Sequence, residues 1–122
     1  MAYDEWMAER VRGVLRARGV PFAERRMMGG LAIMVDEKML CGIASARDTG
    51  EPRLMARVGA KAAAELLDSP QVVAWDLSPS RMRDYVNVGA AGLDGDADLE
   101  RWLDRCLAFN PRAKASKRRK RT

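Results

Sequence analysis

The sequence predicts an α+β domain of two layers. Its parts are a central antiparallel sheet of about five or six short strands, an N-terminal helix, a C-terminal helix and a short middle helix. Three observations predict it. Apolar residues recur at helical spacing near both ends of the chain. Between them runs a succession of short β-rich stretches broken by turn residues. Those stretches lack the helix between successive strands that a doubly wound parallel sheet requires. A chain of 122 residues is the length of one domain. It can bury about two-thirds of the surface its unfolded form exposes, without a metal or disulfide staple.

Each element has a local cause. Asp4 can cap a helix whose apolar positions Met7, Val11, Val14 and Leu15 share one face, and Gly19 followed by Val20 and Pro21 stops it. Strand character follows over Phe22–Met28, Leu31–Val35 and Met39–Ala44, with Asp36, Glu37 and Lys38 as a tight hairpin connection between the last two. Ser45–Pro52 reads as a surface loop and Arg53–Val58 as a fourth strand. Gly59 opens a short alanine-rich helix over Ala60–Leu67, which Ser69 and Pro70 end. Val73, Trp75 and Leu77 alternate as a strand does, Ser78–Arg83 carries turn chemistry, and Tyr85–Val88 is a last strand. After a glycine-rich loop, Asp94 or Asp96 can cap the final helix, whose stripe is Leu99, Trp102, Leu103, Cys106 and Leu107. Pro111 marks the end of the fold, giving a folded domain over residues 1–111 and a tail over 112–122.

Composition excludes several functions. There is no histidine, so Ser-His-Asp and Cys-His sites are impossible and the usual general base and metal ligand are lacking. Cys41 and Cys106 lie in apolar patterns without a CxxC spacing and read as buried free thiols. No apolar run approaches the ~20 residues that cross a bilayer, and the charged N-terminus does not resemble a secretion signal, so a cytoplasmic location is expected. The net charge of +5 is unevenly placed. Residues 1–111 hold 15 basic against 17 acidic residues, a balance of −2; residues 112–122 add seven cations and no acid.

The glycine pair Gly29-Gly30 raises the question of a phosphate cradle. Such a loop needs further glycines at set offsets and a helix start after them. Here the extended run Leu31–Val35 follows, so the pair reads as a joint between strands.

The segments RVRGVLRARG, ERRMMGGLAIMVDEKMLCGI, LMARVG, RMRDYVNV and DADLERWLDRCLAFNPRAK resemble, as a set, the N-terminal domain family of TfoX/Sxy competence regulators. The likeness spans about residues 3–114. Its most specific pieces are Met27–Gly30, Leu54–Gly59 and the helix carrying Leu99 and Trp102. Met28 replaces the usual second residue of the MFGG pattern, and Glu37 replaces the hairpin glycine. The resemblance implies a standalone α+β N-terminal domain, without the C-terminal domain of full-length regulators, and a role near transcription. It brings no catalytic residues with it.

Other candidates have plainer structural readings. Arg57 could bind an anion, but on a largely apolar strand it more simply faces solvent or pairs with a nearby aspartate. Asp94, Asp96 and Asp98 superficially resemble a calcium loop, yet the helix begins too soon for one, and capping explains all three. The eight methionines read as core packing, and Trp6, Trp75 and Trp102 as core or edge anchors. The tail is different, because it has no core to serve. Without an apolar residue larger than alanine it is expected to be disordered. Arg112, Lys114, Lys117, Arg118, Arg119, Lys120 and Arg121 are its candidate nucleic-acid-binding residues. Flexible cations read phosphates, so that binding is expected to be nonspecific.

The expected function is a non-enzymatic regulatory or accessory protein, without cofactor or metal, that contacts DNA or RNA through the tail. A protein such as a transcription regulator and a second copy of the chain are further candidate partners; a membrane is not. The alternative is a protein-interaction or small-molecule-binding module whose tail only aids solubility. An enzyme would need two of Glu51, Asp76 and Asp84 to converge.

Overall fold

A computed structural model describes residues 4–27, 30–46, 49–73 and 83–113. The first helix, α1 (Glu5–Ala17), starts where the Asp4 carboxylate accepts the Met7 backbone N–H at 3.1 Å. It ends in a Schellman motif: Gly19 takes φ +68°, its N–H bonds the Arg16 carbonyl, and the Val20 N–H bonds the Leu15 carbonyl. The four strands β1 (Ala23–Met27), β2 (Gly30–Val35), β3 (Lys38–Ser45) and β4 (Pro52–Arg57) form consecutive antiparallel pairs. Then come α2 (Ala60–Leu66), β5 (Val72–Val73), β6 (Tyr85–Val88) and α3 (Asp96–Phe109), with a 3₁₀ turn before α3 and another after it.

The six strands lie in the order β1-β2-β3-β4-β6-β5. Consecutive strands therefore pair from β1 to β4 and again from β5 to β6, but β4 and β5 are not neighbours. Tyr85–Val88 inserts beside β4, pairing Leu54 with Val88 and Arg57 with Tyr85, and pushes β5 to the edge. Of the strand expected through Leu77, only Val72–Val73 falls among the described residues; Trp75 and Leu77 lie outside them.

Period-two alternation sorts the sheet into two faces. Leu31, Ile33, Ile43, Leu54, Val86 and Val88 join the core beneath the helices, whose contributions include Val11, Leu15, Leu103 and Trp102, at most 1% exposed. Residues of this kind each contribute about 1.5–3 kcal/mol by burial. Ala32, Gly42 and Met55 occupy the alternate positions on the other face. Between Met34↔Met39 and Ile33↔Cys41 the register shifts, leaving Leu40 as the extra residue of a bulge. Leu40 and Cys41 both end up in the core as a result.

Gly30 is needed for close approach: a Cβ there would lie 2.7 Å from the Ile43 carbonyl oxygen. No helix follows it, so the phosphate-cradle geometry does not arise, and Gly29 lies outside the described residues. Two residues, Asp36 and Glu37, make the β2–β3 turn with φ +54° and +66°, the left-handed pair a tight hairpin demands. Lys38, expected in that turn, belongs to β3.

Two expectations are corrected. Gly95, not Asp94 or Asp96, is the N-cap of α3, and no side chain caps it; Asp96 and Asp98 act instead from the first turn, where their charge suits the helix dipole. Trp6 is no anchor, being 73% exposed on the outer side of α1. Trp102 is, and its indole N–H donates to Gln71 Oε1 at 3.0 Å.

Candidate nucleic-acid interface

The root of the basic tail is built from four elements. Helix α3 runs into the 3₁₀ turn Asn110–Arg112, because Pro111 cannot supply the N–H that continued helix would need. Asn110 is buried, and its Nδ2 donates to the Val35 carbonyl at 3.3 Å, tying the helix end to β2. Lys38 Nζ donates to the Asn110 and Pro111 carbonyls at 3.2 and 3.4 Å. A cation at this position satisfies carbonyls that the helix leaves open and opposes its negative end.

Of the predicted tail residues, Arg112 is placed by the structure. It is the last residue of this turn, with its guanidinium carbon 5.6 Å from the Phe109 ring centroid. Ala113 beyond it is buried. Lys114, Lys117, Arg118, Arg119, Lys120 and Arg121 lie outside the described residues.

Phe109 carries a second cation. Arg57, at the end of β4, stands 6.0 Å from the Phe109 centroid and 5.5 Å from that of Tyr85. It also donates to Asp84 Oδ2 and to the Met39 carbonyl, each at 3.4 Å. The side chain is only 13% exposed. Arg57 thus takes the paired role among the readings its sequence context allowed. Tyr85, Arg57, Phe109 and Arg112 form one alternating stack from β6 to the tail root. Sequence reasoning missed it, because β4, β6 and the end of α3 are far apart in the chain and only the fold brings them together.

Among the described residues the remaining candidates do not assemble a reactive centre. Glu51 pairs with Arg53 at the start of β4, and Asp84 with Arg57 at its end, roughly 20 Å away along the strand. Asp76 lies outside the described residues. Cys41 and Cys106 are both fully buried free thiols. Burial pushes the Cys106 thiol up to about 12, although the Arg57 backbone N–H partly offsets it, and raises Cys41 well above its ordinary value. Neither is a nucleophile at neutral pH. Asp96 is held by Arg10 and Asp98 by Arg101. Among the described residues no group of three or more carboxylate or thiol side chains is arranged to hold a metal. No helix there is long and apolar enough to cross a membrane.

The methionines divide by face. Met7 joins the core cluster, whereas Met34 is buried outside it. The Met39 and Met55 side chains meet over Gly42, where a Cβ would lie 2.9 and 2.6 Å from their methyl ends. Core packing alone, the expected role, does not describe these two.

One further cluster had no sequence signal. Arg12 gathers three carboxylates, with Nη1 2.7 Å from Glu5 and 3.1 Å from Glu9, and Nε and Nη2 both on Glu24. It fastens edge strand β1 to α1. Hydrogen bonds from Arg12 hold the Glu9 and Glu24 carboxyls below the usual carboxylate range.

No curated protein and no solved structure matches the chain. The family model for the TfoX N-terminal domain matches residues 15–110, which take in the whole sheet, α2, α3 and the stack around Phe109 apart from Arg112. With that span covering most of its length, this chain belongs to the TfoX N-terminal domain family.

Proposed function

We propose that the protein is a non-enzymatic regulatory or accessory factor that holds nucleic acid, nonspecifically, through its basic C-terminal tail. The observation that carries this reading is the segregation of charge: seven cations fall in residues 112–122, against a balance of −2 over the preceding 111. Cations so concentrated displace condensed counterions from a phosphate backbone, a gain that grows as salt falls. Membership of the TfoX N-terminal domain family supports a role beside transcription, with the folded body meeting a protein partner. The absence of histidine and the inert state of both thiols support the non-enzymatic part.

Removing residues 114–122 tests it, because Arg112 and Ala113 stay in their turn. Retention of duplex DNA or of RNA at ~50 mM salt should fall far below that of the full chain, which binds and weakens steeply by ~200 mM. Equal binding by the shortened chain refutes the tail assignment. A second reading, a protein-interaction module with an incidental tail, is favoured by Met39 and Met55 closing over Gly42 on the sheet face away from the core. It predicts no nucleic-acid binding by the full chain even at ~50 mM salt.

A further inference from the structure

The folded body carries cations of its own, and ion pairing sorts them. Every arginine from Arg10 to Arg18 has a carboxylate partner, as do Arg53, Arg57 and Arg101. Among the described residues Lys38, Lys61, Arg83, Arg105 and Arg112 have none, and neither does Arg25 on edge strand β1.

By backbone position Lys38, Lys61, Arg83 and Arg112 fall at a corner around Phe109, and Arg105 lies one turn away with its guanidinium over Trp102. Lys38 touches the Asn110 and Pro111 carbonyls, and Arg112 covers the Phe109 ring. Gly59 packs its backbone against the same ring, where a Cβ would lie 2.8 Å from Cδ1, so Lys61 in the first turn of α2 starts beside it. The Val58 and Gly59 N–H groups both donate to the Asp84 carbonyl, at 2.8 and 2.9 Å, which brings Arg83 alongside. Arg105 lies one turn before Phe109 on α3, its guanidinium carbon 4.5 Å from the Trp102 ring. The carboxylates nearest in the chain are committed elsewhere: Asp84 to Arg57 and Asp104 to Arg18. Asp36, Glu37 and Glu65 make no ion pair with the five.

We propose that this corner is a phosphate-backbone footing on the folded body, continuous with the tail that leaves it at Ala113. It rests on the reading of the tail as a nucleic-acid contact and adds a fixed element to it. Like charges crowded within a Debye length of ~8–10 Å repel and hold counterions. A phosphate chain laid across them relieves the repulsion and releases those ions. The cations of α1 and of the N-terminal half of α3 already have carboxylates to serve that purpose, so those surfaces have no such gain. Because the fold fixes the backbone positions of these residues, the corner sets where the nucleic acid lies, and the tail then adds affinity.

The test measures binding of a 20-base-pair duplex by fluorescence anisotropy between ~50 and ~200 mM salt, using the full chain throughout. Lys61→Gln and Arg83→Gln are combined in one variant; both residues are exposed and make no ion pair, so melting should be unchanged. The slope of log K against log salt should shrink by about 1 to 2, near 0.9 for each phosphate that the variant no longer neutralises. An unchanged slope overturns the footing. Arg25→Gln on edge strand β1, away from Phe109, should leave the slope as it is; a shift as large as one corner residue's overturns the localisation. Neutralising Lys117, Arg118, Arg119, Lys120 and Arg121 with glutamine separates the two readings. Residual binding that the corner substitutions abolish supports the footing, even if the tail proves dispensable. Residual binding that they leave intact overturns it.

Discussion

Gly59→Ala is the most demanding test of the architecture around Phe109. Gly59 has φ +94° and ψ 153°, backbone that only glycine adopts freely. Holding alanine there costs of order 1–3 kcal/mol. The new methyl would also stand 2.8 Å from Cδ1 and Cε1 of Phe109. That ring cannot swing away freely, since Arg57 and Arg112 flank it and α3 carries it. Overpacking of this kind adds about 1–3 kcal/mol. The reduced chain entropy of unfolded alanine returns about 0.4–1 kcal/mol. The net loss is then about 3 kcal/mol. For a body of this size the unfolding entropy near the midpoint is about 0.2 kcal/mol per degree, so the melting temperature should fall by roughly 10–15 °C. Thermal unfolding followed by far-ultraviolet circular dichroism reads it directly. Gly13→Ala supplies the contrast: Gly13 sits inside α1 with nothing within 4 Å of an added Cβ and no positive φ. It should gain about 0.5–1 kcal/mol. If Gly59→Ala melts at or above the unsubstituted protein, the account of the Phe109 corner is wrong.

Other consequences can be checked with the same protein. Glu37→Gly relieves a left-handed residue at the β2–β3 turn. After glycine's own entropic cost it should stabilise by about 0.5–1 kcal/mol in urea unfolding; a lower midpoint would contradict the turn geometry. Glu9 and Glu24 have folded-state values below their ordinary 4.5, so their contribution is complete above that pH. It fades as the pH drops through the depressed values. Arg12→Gln should therefore flatten the acid limb of the stability profile between about pH 5 and 2, and a limb of unchanged steepness counts against the cluster. Cys41 and Cys106 should resist iodoacetamide at pH 8 until the protein unfolds, so stoichiometric labelling of the native state, read by mass spectrometry, would disprove their burial.

The two longer helices were legible because their cause is local. Met7, Val11 and Leu15 fall on one face by spacing alone, and so do Leu99, Trp102, Leu103 and Cys106; all are buried. The β2–β3 hairpin was legible despite its missing glycine, since apolar runs on both sides left only Asp36, Glu37 and Lys38 for the turn. Asp94 and Asp96 misled as caps, because several neighbouring residues satisfy the same preference and the fold's path chose Gly95. Trp6 misled for a related reason: its size predicts burial, yet its position on α1 turns it outward.

The sequence by itself determined the class of fold, the helix faces and the separation of a near-neutral body from a cationic end, all of which are properties of residues close together in the chain. Only the tertiary structure decided that Tyr85–Val88 lies between β4 and β5. It also decided which cations meet a carboxylate and which are left at the Phe109 corner. Strand order and ion pairing depend on distances between residues far apart along the chain, as between Arg18 and Asp104 or Arg57 and Asp84. No periodicity within a single element carries that information.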